Sequence, residues 1–242
     1  MPTARVFDTI PFSQSSEVGQ NSEPSLAVNP LDPTQIFAAA FSFFSGSAVI
    51  TPYFKSSTGG TSWFDDGSLT TQDKSLAWKQ DGSAALTTTL LDHVINTYSE
   101  TAAGSNFGAP IHAFDPGYAI DQPWVRTGPF NHVYVTYNAD GLTDGKTASV
   151  LVSTDGGSHY TSFTLDRVGA AAAAPFDEDA PSVRSAVNGN TVYAVFTRWN
   201  TVVESNSDGT RLGAQVVIVR SDVGGTDGFT AFARPTSSRS TC

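Results

Sequence analysis

Apolar and polar residues alternate along most of the chain in short runs, and polar turns interrupt them. "QIFAAAFSF" (35–43), "SAALTTTLL" (83–91), "HVYVTYNAD" (132–140) and "TVYAVFTRW" (191–199) carry the β-branched and aromatic residues that suit a pleated, half-buried surface. Turns rich in Gly, Ser, Thr, Asp and Asn lie between such runs. Long stretches with the 3.6-residue period of a helix are absent. The pattern predicts an all-β protein.

The strands recur in sets. An acid, one residue or none, and then Pro or Lys open an apolar strand in "SEPSLAVNP" (22–30), "QDKSLAWKQDG" (72–82), "DQPWVRTGP" (121–129) and "DAPSVRSAVNG" (from 179). The β-rich strands quoted above follow. A third element then closes each set: "YFKSSTGGTSWF" (53–64), a degraded "INTYSETAAGSNF" (95–107), "VLVSTDGGSHYTSF" (150–163) and "VIVRSDVGGTDGF" (217–229). A unit of three or four strands cannot cover both faces of its own sheet, whereas stacked units can. Radial repetition of such sheets is a β-propeller. The expectation is one propeller domain over 1–231, with blades near 20–68, 69–115, 116–170 and 175–231, and a tail over 232–242. It is either a four-bladed ring or part of a six- or seven-bladed one. The segment "GAAAAAP" (169–175) reads as a linker between blades. "NADGLTDGKT" (138–147) and "NSDGTRLG" (206–213) read as turns.

In the third element Ser153, Asp155, Gly157 and Tyr160, with Ser56, Gly60 and Trp63 in the first unit, have structural work. Gly supplies positive φ, Ser and Asp oxygens accept turn N–H groups, and the aromatic packs inward. "STDGGSHY" resembles the Asp-box of sialidases and sialidase-like (BNR-repeat) propellers. "SSTGGTSW" lacks the Asp, and "SDVGGTDGF" has it shifted. "EPSLAVNPLDPTQIFAA" is similar to the opening of a blade in bacterial sialidase-like repeat proteins. The resemblance covers about residues 20–230. It implies that the starts of the first strands open on a binding face and that the Asp-box turns lie on the opposite one.

Composition narrows the partners. The net charge of −10 and a pI of about 4.6 argue against nucleic acid and anionic membranes. No apolar run reaches the roughly 18 residues of a membrane span. Cys242 stands alone, so no intrachain disulfide forms. "MPTARVFDTIPF" has no signal-peptide pattern, so an extracellular or cell-surface location requires a signal outside this chain. An open ring would expose strand edges, which an oligomer could cover. The four histidines form no metal-ligand spacing, and no cofactor motif is present.

Candidate chemistry falls at the strand starts. Glu23, Asp73, Asp121 and Asp179 would form an acidic mouth in which close like charges raise a pKa; alternatively each acid caps its own strand or pairs with an arginine. Arg126 and Arg184 align on successive first strands, where the earlier units have Ala27 and Ala77. With Trp124 they could clamp a carboxylate or sulfate, or they could form salt bridges between blades. Asn138, Asp140, Arg198 and Trp199 end the second strands on the same rim. The resemblance implies a glycoside hydrolase acting on an anionic glycan. Asp121 or Asp179 would be its proton donor, and Arg126, Arg184 and Arg198 would hold the sugar. The family's Arg-Ile-Pro signature is missing, and no Tyr–Glu nucleophile pair is found; Tyr98 and Glu100 lie in the degraded turn. The alternative is a propeller that binds glycan or protein without catalysis.

Overall fold

The computed structural model describes residues 21–42, 50–71, 73–101, 106–139, 148–166, 182–201 and 213–229. Those residues contain fifteen strands and no helix. Blade 1 holds β1 (Asn21–Val28), β2 (Ile36–Ser42), β3 (Ile50–Ser56) and β4 (Phe64–Thr70). Blade 2 holds β5 (Asp73–Trp78), β6 (Ala85–Leu91), β7 (Val94–Glu100) and β8 (His112–Phe114). Blade 3 holds β9 (Ile120–Thr127), β10 (Val133–Ala139), β11 (Ala148–Ser153) and β12 (Thr161–Thr164). Blade 4 holds β13 (Arg184–Asn188), β14 (Thr191–Thr201) and β15 (Gly213–Ser221). Each blade is an antiparallel meander with its strands in chain order, the architecture of a β-propeller. The segments 140–147, 167–181 and 202–212, which include the linker 169–175 and most of both turn stretches, lie outside the described residues.

Middle strands explain the strand-rich runs of the sequence. Every residue of β10 and β11 is buried, because blades 2 and 4 cover both faces of blade 3. The boundaries form three apolar clusters. Leu76, Trp78 and Ala85 pack with Phe37 and Tyr53 between blades 1 and 2. Leu86, Ile95, Val125 and Leu151 pack between blades 2 and 3, and Val150, Val152, Val183 and Val219 between blades 3 and 4.

The first strands β1, β5, β9 and β13 are edge strands, and side chains join them from blade to blade. Ser25 Oγ accepts the main-chain N–H of Leu76 at 3.0 Å, and Ser75 Oγ accepts that of Val125 at 2.7 Å. Thr136 Oγ1 donates to the carbonyl of Val183 at 2.9 Å.

The closing turns share one geometry. Ser56, Ser153 and Ser221 each accept, through Oγ, the N–H of the glycine four residues on (Gly60, Gly157 and Gly225), always at 2.9 Å. Asp155 Oδ1 accepts from the N–H of Ser158 and of His159. The preceding glycine donates to the first hairpin turn of its own blade: Gly59 to Thr34, Gly156 to Asn131 and Gly224 to Asn190. The aromatic then reaches the blade before. Tyr160 bonds Thr97 of β7, and Phe229 joins the cluster of Tyr134 and Val150. Phe107, the aromatic of the degraded turn, packs on Phe37 and Tyr53. Trp63 of blade 1 instead bonds the carbonyl of Gly60 in its own turn.

The two end blades repeat the same faces uncovered. Leu26 is 61% exposed, whereas its counterparts Leu76, Val125 and Val183 are 2%, 0% and 0% exposed. On blade 4, Val195 and Thr197 pair with Ile218 and Val216, as Thr136 and Asn138 pair with Val150 and Ala148 on blade 3. Val216 and Ile218 are 55% and 50% exposed, while Ala148 and Val150 are 1% and 0%. Leu76→Ala should therefore destabilise the fold by about 2–5 kcal/mol. The equivalent Leu26→Ala should stay within about 0.5 kcal/mol. Urea unfolding of the two variants checks this, and equal losses would show that Leu26 is covered in solution.

Candidate functional site

The starts of the four first strands surround a cavity of about 360 Å³ lined by Glu23, Ser25, Asp73, Lys74, Gln122, Trp124, Ser182 and Arg184. Proline shapes its rim. A proline cannot donate to a sheet ladder, so it belongs on an edge strand. At Pro24 and Pro123 the pairing of β1 with β2 and of β9 with β10 shifts register. The residues before these prolines, Glu23 and Gln122, are both left-handed with φ of 51°. That conformation is costly for a non-glycine residue. Here it turns both side chains toward the cavity, as bulges beside binding sites do.

The prolines show which residues are equivalent. The sequence groups Asp121 with Glu23 and Asp73 as an opening acid, but Gln122, the residue before Pro123 as Glu23 is before Pro24, takes that place on the rim. Asp121 stands one residue behind, opposite Asn138 in the ladder, and its Oδ1 accepts the N–H of Gln122 at 2.8 Å. Asp73 Oδ2 accepts the same N–H at 3.2 Å, which ties blade 2 to blade 3. Asp179 and Asp140 lie outside the described residues.

Electrostatics differ around the rim. Glu23 as a residue is exposed, yet its carboxyl sits above the ordinary carboxylate range. Desolvation is the main cause, followed by the charge of Asp73 and a hydrogen bond with it; Lys74 and Arg184 oppose the shift. Lys74 is buried and donates to the main-chain carbonyl of Glu23. Burial brings its pKa down to about 8 against the upward pull of Glu23 and Asp73.

Trp124 is the centre of the aromatic part. The guanidinium of Arg126 lies 4.6 Å and that of Arg184 4.4 Å from its ring centre, within cation–π range. Arg184 also donates to Gln122 Oε1 at 3.2 Å, and Ser182 bonds the same oxygen. Burial lowers the pKa of both arginines, and Arg184 lowers that of Arg126 further. The two therefore meet through the indole, and they open on different spaces. Arg184 lines the mouth, while Arg126 lines a second hollow further along the first strands, with Leu26, Trp78 and Ala186.

The other expected rim residues are placed as follows. Asn138 is buried in β10 between Asp121 of β9 and Ala148 of β11, because both faces of that middle strand are covered; a ligand cannot reach it there. Arg198 and Trp199 belong to β14, paired in register with Gln215 and Ala214. Sequence reasoning missed Lys74, Gln122 and Ser182 at the mouth. Lys74 had a signal, since it is the one first-strand opening with a lysine where Pro24, Pro123 and Pro181 stand in the others.

No family model matches the chain, and no curated protein sequence matches it. Solved structures do. A protein of unknown function from Dyadobacter fermentans superposes with a TM-score of 0.57 at 17% identity, over 90% of this chain and 64% of its own. An exo-beta-1,3-galactanase from Clostridium thermocellum matches at 0.55 and 12% identity, over 89% and 50%. The GH93 alpha-L-arabinofuranosidase of Fusarium graminearum matches at 0.54 and 13%, over 84% and 63%. This chain thus spans less than two thirds of each. At such identities the likeness concerns the fold, a β-propeller.

The environment of Lys74 gives a direct check. Its amine should titrate near pH 8 in NMR of the lysine side chains. Glu23→Gln should move that titration lower, because a charge that holds the ammonium form is gone. An unchanged or higher value would separate Lys74 from the Glu23–Asp73 pair.

Proposed function

We propose that the mouth of the first strands is a glycan site and that the protein is a carbohydrate-active propeller that hydrolyses a glycosidic bond. The observation that carries this reading is the convergence, on one cavity, of the Glu23 carboxyl with its raised pKa, the Asp73 carboxyl and an arginine laid on a tryptophan face. Glu23 is the better proton donor than Asp121, because its raised pKa keeps a proton available for the leaving oxygen. Asp73 and Asp121 supply negative charge toward an oxocarbenium-like centre. Trp124 offers a ring face, and Arg184 a cation for a carboxylate or sulfate on the sugar. The Ser–Gly turns support kinship with Asp-box propellers. The galactanase and arabinofuranosidase among the structural neighbours support a sugar as substrate.

One observation favours a second reading, glycan binding without turnover. Asp73 stands close enough to raise the Glu23 carboxyl through charge and hydrogen bonding, whereas paired glycosidase carboxyls stand at least about 5 Å apart. For catalysis, Asp121 or a carboxyl outside the described residues would have to complete the pair.

The test is hydrolysis of fluorogenic arabinosides, galactosides, sialosides and uronides at pH 5–7, with glycan binding measured in parallel. Catalysis predicts that Glu23→Gln cuts turnover by about 10²-fold or more, the low end of a lost general acid, while the sugar still binds. Arg184→Ala should selectively weaken anionic sugars. Binding lost in Arg184→Ala with no turnover by the wild type would establish the second reading. Neither binding nor turnover across the panel would reject the glycan site.

A further inference from the structure

The closing turn of blade 2 departs from the others at its first position. β3, β11 and β15 end on serine, whereas β7 ends on Glu100. Glu100 packs against blade 1, where Lys55 of β3 and Asp66 of β4 meet it. Lys55 Nζ lies 2.7 Å from Asp66 Oδ1 and 3.0 Å from Glu100 Oε1. Both carboxylate side chains are 2% exposed, and the lysine 20%. Asp66 Oδ1 also receives the N–H of Asn106 at 3.4 Å. The remaining oxygens, Asp66 Oδ2 and Glu100 Oε2, are buried and receive no hydrogen bond.

One lysine against two buried carboxylates leaves a net negative charge and two orphan acceptors in a water-poor place, and both are costly. A single added proton removes both faults. We propose that Glu100 holds a proton and donates it from Oε2 to Asp66 Oδ2. Lys55, Asp66 and Glu100 then form a neutral clasp that joins blade 1 to blade 2 and loosens when the proton leaves.

The surroundings agree. Burial, helped by the hydrogen bond and charge of Asp66 and opposed by Lys55, pushes the Glu100 carboxyl up to about 7. The ionisable groups that act on it are Asp66 from β4 and Lys55 from β3. Tyr53 of β3 stays neutral, its hydroxyl 3.0 Å from Thr87 Oγ1. Phe37 of β2 lies on the other side of Lys55. An unfolded glutamate releases its proton near 4.5. The folded pKa is raised, so the stability due to the clasp is complete below about 4.5 and is lost as pH rises through about 7. For one proton the folding constant falls by at most about tenfold per pH unit inside that window.

Glu100→Gln isolates the effect, because an amide can donate to Asp66, accept from Lys55 and has no proton to lose. Urea unfolding from pH 4.5 to 8 should show the wild type losing stability relative to Glu100→Gln across the window, by up to tenfold per unit. Parallel pH profiles would overturn the clasp. Should the variant fail to fold, carboxyl-carbon NMR of the wild type decides the matter. Titration of Glu100 near 7 supports the shared proton, and titration near 4.5 refutes it.

Discussion

An edge strand carries a row of main-chain N–H and C=O groups that need partners, and the first strand of every blade is such an edge. Ser25 and Ser75 meet this need by accepting the N–H of Leu76 and Val125 from the next blade. These bonds do more than satisfy donors. They set the height of each first strand against the next, so that Glu23, Asp73 and Gln122 come level at one mouth. Serine suits the task because its side chain is short enough to reach the neighbouring main chain without pushing the blades apart.

Blade 3 has Trp124 where blades 1 and 2 have that serine. The junction to blade 4 is then made by Thr136 and the carbonyl of Val183, and the first strand is released to carry a large ring. The ring is held by two guanidinium groups, and its indole N–H is buried without a partner. A structural contact has been exchanged for a large ring that carries Arg184 and Arg126 together. The same strand holds Gln122 in a left-handed conformation that costs energy, aims its side chain into the mouth and presents its N–H to Asp73 and Asp121.

Much of this was legible in the chain. The strand–turn pattern located four units, and the recurring Ser and Gly gave the closing turns, because those depend on local spacing alone. Strand alternation likewise put Trp124 and Arg126 on one side of β9. The exact rim was harder to read. Asp121 drew attention because it is an acid, yet counting back from Pro123 sets Gln122 level with Glu23, and the structure puts Gln122 on the rim. Asn138 looked like a rim residue because it ends a strand, yet middle strands in a propeller are covered on both faces. Lys74 and Glu100 were visible only as departures from the repeat, one replacing a proline and the other a serine, and each departure proved to mark a charged cluster.

Those two clusters obey the same physics with opposite outcomes. Both join blade 1 to blade 2, and both set two carboxyls beside one lysine: Glu23 and Asp73 with Lys74, and Asp66 and Glu100 with Lys55. In each, desolvation and a like charge raise one carboxyl. At the clasp the lysine binds both acids directly and the interior closes over them, so the proton has no role beyond neutralising the boundary. At the mouth Lys74 is turned to a main-chain carbonyl, and the Glu23 residue remains open to the cavity. On the proposed reading, a proton there would pass to a bound molecule. The difference lies less in the residues than in whether the neighbouring blade seals the pair, and it leaves only one of these two acidic pairs open to a cavity.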